Sequence, residues 1–373
     1  MRFIKILILS ILCLSSTSCE GEDFRDNPIT HKQAGAEYIA IFGDIQYYTN
    51  PDNIPIYQRT IDWLLQQKLD GRSINCVLHT GDITMNNRYL QWETFYQATL
   101  PLAQHIPYYS IIGDHDYTWY DGKHINGRYQ TSFNDYVKFP ISMPRIIAYY
   151  EEGRMENVVV ENTVQGQRLD ILLLEFGPRE EVVEWADAYV KAHPTINYIL
   201  MTHEYLENGG GRRTHDLKMS LRLQNTTYTT PSQLWERLIK CNDNILCVLC
   251  GHVGGLYALT LEKNDFGRDV PQIQHNIQSE EYRYDNWIMM WEFPLQSDSA
   301  NVFIYNANTH LYYEDKPSLF KFRYKNTVST KVSGIRKRKN IGNAYRADGV
   351  PIANTNIKGI FLNRNGEKFL NAQ

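Results

Sequence analysis

The chain has 373 residues, 43% hydrophobic and 21% charged. This excludes a disordered or fibrous protein and leaves room for one large domain with an appendage, or for two modest ones. Net charge is −4 but unevenly placed: from Lys316 onward 13 Lys/Arg face only Asp348 and Glu367, a net +11 that leaves −15 on the rest. An acidic body with no recognition motif beside its basic segment argues against nucleic acid as the partner.

The chain opens with Arg2 and Lys5 at the start of an apolar run, Ile4 to Leu14, followed by Ser15, Ser16, Thr17, Ser18 and Cys19. Positive, apolar, then small residues is the order of a secretory signal. Cys19 after small residues resembles a bacterial lipoprotein cleavage box, in which that Cys becomes the lipidated first residue, although Ser16 stands where the box usually has Leu. An ordinary signal peptide with a chance Cys is the alternative. Glu20-Gly21-Glu22-Asp23 follow as a tether would. The expectation is a signal over residues 1–18, a lipidated tether over 19–35, and an exported protein anchored through lipid in a bacterial cell envelope. The apolar run is shorter than the ~20 residues of a membrane span, and no later segment qualifies.

Between residues 36 and 252 a short apolar run repeatedly ends in Gly, Asp or His. Tyr38 to Phe42 leads to Gly43-Asp44, Ile74 to Leu78 to Gly81-Asp82, and Tyr108 to Ile112 to Gly113-Asp114-His115-Asp116. Tyr198 to Met201 leads to Thr202-His203, and Ile245 to Cys250 to Gly251-His252. A sixth run, Leu169 to Glu175, ends in Phe176-Gly177-Pro178 and offers no ligand. Such runs read as buried strands. Helical spacing lies between them, at Ile61, Leu64, Leu65 and Leu69, at Val182, Ala186, Tyr189 and Val190, and at Leu234, Leu238 and Ile239. Strands alternating with helices predict an α/β fold, whose ligands sit beyond the carboxyl ends of the strands. Cys247 and Cys250 have CxxC spacing inside a strand-like run, which points them to opposite faces and makes them core residues rather than a redox or zinc pair. A disulfide from Cys241 stays open.

After His252, Gln272 to Gln278, Trp287 to Phe293 and Val302 to Tyr305 look like antiparallel strands. The domain is expected over 36–312, with a basic, β-rich tail over 313–373. In the tail, Asn365-Gly366 between apolar pairs is a hairpin signal. The cluster Arg336-Lys337-Arg338-Lys339 reads as a solvated linker.

Carboxylates and imidazoles at several strand ends are the ligand types that Zn, Mn and Fe accept. The ordered set resembles the calcineurin-like metallophosphoesterases, which carry D-x-H, G-D, G-N-H-D/E, a lone H and G-H-x-H in this order, over roughly residues 36–312 here. The resemblance implies a two-sheet β-sandwich flanked by helices. It implies that Asp82 bridges two metals, that Asp114, His203 and His252 complete one position, and that Asp44 holds the other. It implies His115 as proton donor or charge stabiliser beside the leaving oxygen, oriented by Asp116. Gln46 replaces the first motif's His, Asp114 replaces Asn, and Gly254 replaces the last motif's second His. The consequence is one tight divalent ion (Mn, Fe or Zn) and one weak or absent, with Gln46 offering at best an amide oxygen.

Near these motifs, Arg212 and Arg213 suit a grip on phosphate, or lie in a solvated loop. Tyr47 and Tyr48, like Trp119 and Tyr120, suit stacking on an organic leaving group or plain packing. The activity expected is metal-dependent hydrolysis of a phosphomonoester or phosphodiester outside the cytoplasm. The alternative is an impaired member that binds a ligand or an envelope partner.

Overall fold

A computed structural model of the protein describes residues 35–119, 127–213, 228–316 and 318–325, together with the backbone of Gly359–Leu362 and Lys368–Asn371. The signal, the tether, Cys19, Tyr120, the 336–339 basic cluster and the Asn365-Gly366 turn lie outside the described residues. No helix among the described residues is long and apolar enough to cross a membrane.

The chain divides into two compact units, residues 1–325 and 326–373. In the first, the strands are β1 (Glu37–Phe42), β2 (Ser73–His79), β3 (Tyr108–Ser110), β4 (Ile146–Tyr149), β5 (Val158–Val160), β6 (Thr163–Val164) and β7 (Gln167–Leu173). They continue with β8 (Asn197–Met201), β9 (Ile245–Cys250), β10 (Tyr257–Lys263), β11 (Asp269–His275), β12 (Trp287–Phe293), β13 (Ser299–Asn306) and β14 (Phe320–Arg323). They form two sheets, one ordered β14-β13-β12-β1-β2-β3 and one ordered β10-β11-β9-β8-β7-β5-β4, with β6 paired to β7. The architecture is the α/β, two-sheet arrangement with flanking helices.

Side-chain alternation builds the layers. Ile171, Leu173, Ile199, Met201, Cys247 and Leu249 join Ile41 and Leu78 of the first sheet in one buried cluster. Their neighbours Leu172, Leu200, Val248 and Cys250 face the other way, into a second cluster with Val182, Ala186 and Val190. The two cysteines of the CxxC spacing therefore do lie on opposite faces, and Cys76, Cys241, Cys247 and Cys250 are all free. All six side chains of β9 are buried, and each large apolar one contributes about 1.5–3 kcal/mol by leaving water.

Helix α1 (Ile54–Leu69) starts with a proline in its first turn and buries Tyr57, Ile61 and Leu64, one stripe at helical spacing. Leu69 ends it exposed. Helix α2 (Tyr89–Ala103) buries Trp92, Phe95, Thr99 and Leu102; its Gln and Thr residues and Pro101 blur the pattern in the sequence. The four-residue helix α3 (Phe133–Tyr136) precedes β4. Helix α4 (Glu180–Ala192) carries acidic Glu180 and Glu181 in its first turn, which suits the positive end of the helix dipole. Leu234 ends the short helix α5 (Pro231–Leu234), and Leu238 and Ile239 lie in the wider turn that follows it.

Two expectations need correction. Strand β11 is not purely antiparallel: it pairs antiparallel with β10 but parallel with β9, because the chain returns from β10 alongside the buried β9. And the first unit continues past residue 312, because β14 adds to the edge of β13. In the second unit, β15 (Gly359–Leu362) and β16 (Lys368–Asn371) pair antiparallel, as the hairpin signal requires.

Candidate metal centre

The carboxyl ends of five strands converge. Asp44, Asp82 and Asp114 follow β1, β2 and β3 of one sheet, and His203 and His252 follow β8 and β9 of the other. Asp82, Asp114, His203 and His252 each offer a ligand atom, and these atoms lie within 4.8 Å of one another. All four residues are less than 5% exposed.

The donor set fits a divalent ion. His203 turns Nδ1 to the Thr80 carbonyl at 2.6 Å, so that nitrogen carries a proton and Nε2 is the one that would face a cation. That Nε2 lies 3.2 Å from Asp82 Oδ1 and 3.4 Å from Asp114 Oδ1. His252 Nδ1 lies 3.1 Å from Asp114 Oδ1 and 3.3 Å from His203 Nε2. Two imidazole nitrogens and carboxylate oxygens this close, and this dry, need a proton or a cation among them. The titration of the metal-free cluster shows the same demand. Burial pulls the His203 imidazole down, but the Asp82 and Asp44 charges more than offset it and raise it to about 10. Burial likewise raises Asp44 to about 8, against the pull of His203 and with the help of Asp82. Burial would raise Asp82 too, yet His203 and His115 hold it below the usual carboxylate range. Burial lowers His252 to about 3, keeping the imidazole neutral.

The backbone is bent to serve this cluster. Asp82 has φ +53° and His252 φ +76°, left-handed conformations that cost a non-glycine residue about 1–3 kcal/mol. Gly113 passes so close to Asp82 that a Cβ there would collide with Asp82 Oδ1 and N. The His115 backbone N–H donates to Asp82 Oδ1 at 3.0 Å, so the third motif also orients the second.

His115 is half-buried; its Nδ1 bonds the Met85 carbonyl at 2.7 Å and its ring stacks on Trp119 at 5.0 Å. Trp119 in turn donates from Nε1 to the Asp114 carbonyl at 3.0 Å. Asp116 does not orient the His115 ring. Its carboxylate instead accepts from Thr84 N at 2.8 Å and Gly113 N at 3.0 Å, because buried backbone donors in this loop must be satisfied. Burial, aided by the Asp82 charge, raises Asp116 to about 6.

Arg212 is not left open for a phosphate: its guanidinium bonds Glu262 and Gln272 Oε1 and lies 4.6 Å over the Trp235 ring. Arg213 pairs with Glu204 at 3.0 Å, and Glu204 lies 3.9 Å from His252 Nε2, so Arg213 borders the cluster through a carboxylate. The Tyr47 ring sits 4.2 Å from the Arg283 guanidinium. Tyr48 is buried, with its hydroxyl on the Asp285 carbonyl, a packing role. His79, also at a strand end, bonds the Tyr108 hydroxyl and stays outside the four-residue group.

Asp44 and Gln46 also lie outside that group. Asp44 accepts from the Thr80 hydroxyl at 3.1 Å and from His252 N at 2.9 Å. Gln46 donates to Asp82 Oδ2 at 3.2 Å and to Gln278 Oε1 at 2.8 Å. Gln278 escaped the sequence reading. The signal available was the polar run Gln274, His275, Asn276, Gln278 at the end of an otherwise buried strand.

The sixth strand end forms a wall. Phe176 lies 6.0 Å from His203 and 5.9 Å from His252, ring to ring. Arg128 holds this turn by donating to the carbonyls of Phe176 at 2.9 Å and Gly177 at 2.6 Å, beside Glu175 at 3.4 Å. Arg128→Ala is expected to cost about 3 kcal/mol in urea unfolding, the low end for a broken buried ion pair, because Arg179 still pairs Glu175.

The chain is similar to known proteins. The profile of the family described as calcineurin-like phosphoesterase matches residues 38–256. The uncharacterized protein YvnB of Bacillus subtilis (strain 168) is 25% identical over 278 residues, covering 73% of this chain and 20% of that protein. The probable inactive purple acid phosphatase 27 of Arabidopsis thaliana is 32% identical over 96 residues, 24% of this chain and 15% of that one. Among solved structures, a 5'-nucleotidase from Candida albicans aligns with a TM-score of 0.41 at 11% identity, covering 73% of this chain and 52% of its own. The Haemophilus influenzae NAD nucleotidase aligns at a TM-score of 0.35 and 10% identity, covering 73% and 49%. The match thus spans a fifth of YvnB and about half of each nucleotidase.

Proposed function

The chain belongs to the calcineurin-like phosphoesterase family, whose profile spans more than half its length, and from this we propose that it hydrolyses a phosphate ester with water as nucleophile. The observation that carries the reading is the convergence of Asp82, Asp114, His203 and His252 within 4.8 Å. A divalent ion such as Mn, Fe or Zn held by these four would supply Lewis-acid charge to a phosphoryl oxygen. The chain's own residues do the rest. His115 anchors Nδ1–H on the Met85 carbonyl, and its imidazolium form would hand the Nε2 proton to the leaving oxygen and end neutral. Trp119 keeps that ring in plane by stacking. Phe176 excludes water from the imidazoles, so their charge interactions act in a low dielectric.

His115→Gln is expected to keep the ion and lower turnover of an aryl phosphodiester by about 10²–10⁴-fold, the range of a lost general acid. Metal analysis beside steady-state kinetics checks it; unchanged turnover would remove His115 from the mechanism.

A second reading, ligand binding without turnover, draws on Gln46 and Gly254 standing where the family has His, and on a local relative whose name calls it probably inactive. Absence of turnover with Mn, Fe and Zn alike in folded, metal-loaded protein decides for it.

Export and lipid anchoring through Cys19 are part of the proposal, supported by the Arg2/Lys5, apolar, small-residue order alone. Cys19→Ala is expected to abolish incorporation of a labelled fatty acid; unchanged labelling sinks the anchor.

A further inference from the structure

The second ion position that the family resemblance implies is closed here by side chains of the chain itself. Gln278 donates from Nε2 to Asp44 Oδ2 at 3.2 Å and to the His252 carbonyl. Its Oε1 accepts from Gln46 Nε2 at 2.8 Å, and the same nitrogen donates to Asp82 Oδ2 at 3.2 Å. Hydrogen bonds therefore run without a break from Asp82 through two amides to Asp44, and all four amide protons are used. The Gln278 backbone N–H is held by Asn276 Oδ1 at 2.8 Å, which sets the direction of approach. Gln46 Oε1 is buried without a hydrogen-bond partner among the described residues.

Asp44, Gln46 and Asp82 are each at most 2% exposed. Buried carboxylates require a cation or N–H donors, and here donors are supplied. Gly254 gives an independent reason. Its φ is +94°, and a Cβ there would meet Gln274 Nε2 at 2.8 Å and Asn208 Cα at 3.2 Å. A side chain at that position is strained by the positive φ, and the glycine that stands there gives the last motif no second ligand.

The geometry points to a single-ion protein in which a Gln46–Gln278 amide strap takes the place of the second ion, with Gln278 as the positioning residue that holds Asp44. The inference rests on the phosphoesterase reading above, in which the other ion sits among Asp82, Asp114, His203 and His252. An ion entering between Asp44 and Asp82 must break the amide bonds to both carboxylates.

The test is to load the purified full chain with Mn, remove the excess, count ions by mass spectrometry and record the electron paramagnetic resonance spectrum. The wild type is expected to hold one Mn per chain, with an uncoupled signal. Gln278→Glu replaces the donating amide by a carboxylate and sets a third negative charge beside Asp44 and Asp82. It is expected to hold two Mn with an exchange-coupled signal, and the double variant Gln46→His/Gln278→Glu to hold the second more tightly. Gln278→Ala, which opens the strap without adding charge, serves if the Glu variant does not fold. Two ions in the wild type, or a single ion persisting in every folded variant, overturns the strap. No ion in the wild type overturns the metal reading itself and the strap with it.

Discussion

Asp82→Asn is expected to reduce the bound ion to under about a tenth per chain and to lower turnover by about 10³-fold, the scale set by losing one well-placed charge-stabilising group. Asp82 is the most connected residue of the cluster. It faces His203 at 3.2 Å, receives the His115 N–H at 3.0 Å and receives Gln46 at 3.2 Å. Asparagine is the informative replacement because it tolerates the left-handed backbone that Asp82 adopts at φ +53°. The change therefore removes charge without removing the turn. Metal analysis, kinetics and the unfolding midpoint, taken together, separate loss of the ion from loss of the fold. An Asn variant that retains its ion and its turnover would place the chemistry elsewhere.

Gly113→Ala is expected to act on stability and site together. A methyl group there collides with both the backbone nitrogen and Oδ1 of Asp82, and neither is the free end of a flexible chain. Overpacking of this kind costs about 3 kcal/mol, and the shift it forces moves Asp82 away from His203. Gly255→Ala, where an added Cβ meets nothing within 4 Å, is the control. Urea unfolding and ion affinity should both fall in the first variant and hold in the second. A Gly113→Ala protein as stable as wild type would mean that the loop after β3 yields easily.

How much of the fold and site is legible in the sequence depends on how far apart along the chain the interacting residues lie. A strand ending in Gly-Asp or His is a local pattern, so Asp44, Asp82, Asp114, His203 and His252 can be singled out from neighbours alone. The alternation that sends Cys247 and Cys250 to opposite faces is equally local. Other features are settled by residues far away in the chain. Arg212 looks like a phosphate ligand until Glu262, 50 residues on, takes it. Gln278 has meaning only beside Gln46, 232 residues earlier. Asp116 stands next to His115, yet backbone donors from Thr84 and Gly113 hold its carboxylate away from the imidazole. Helix α2 is obscured for a different reason: Thr, Gln and Pro101 interrupt the stripe made by Trp92, Phe95 and Leu102.

The four grouped side chains come in pairs, Asp82 and Asp114 from one sheet and His203 and His252 from the other. Their spacing is thus a vernier between two layers. Sliding one layer against the other by a fraction of an ångström alters every carboxylate-to-imidazole distance at once and none of the distances within a layer. On the proposed metal reading, residues such as Met201, Leu249 and Ile41, which fill the space between the layers, would help to choose which ion radius is welcome. Volume changes there should alter selectivity among Mn, Fe and Zn without altering a single ligand.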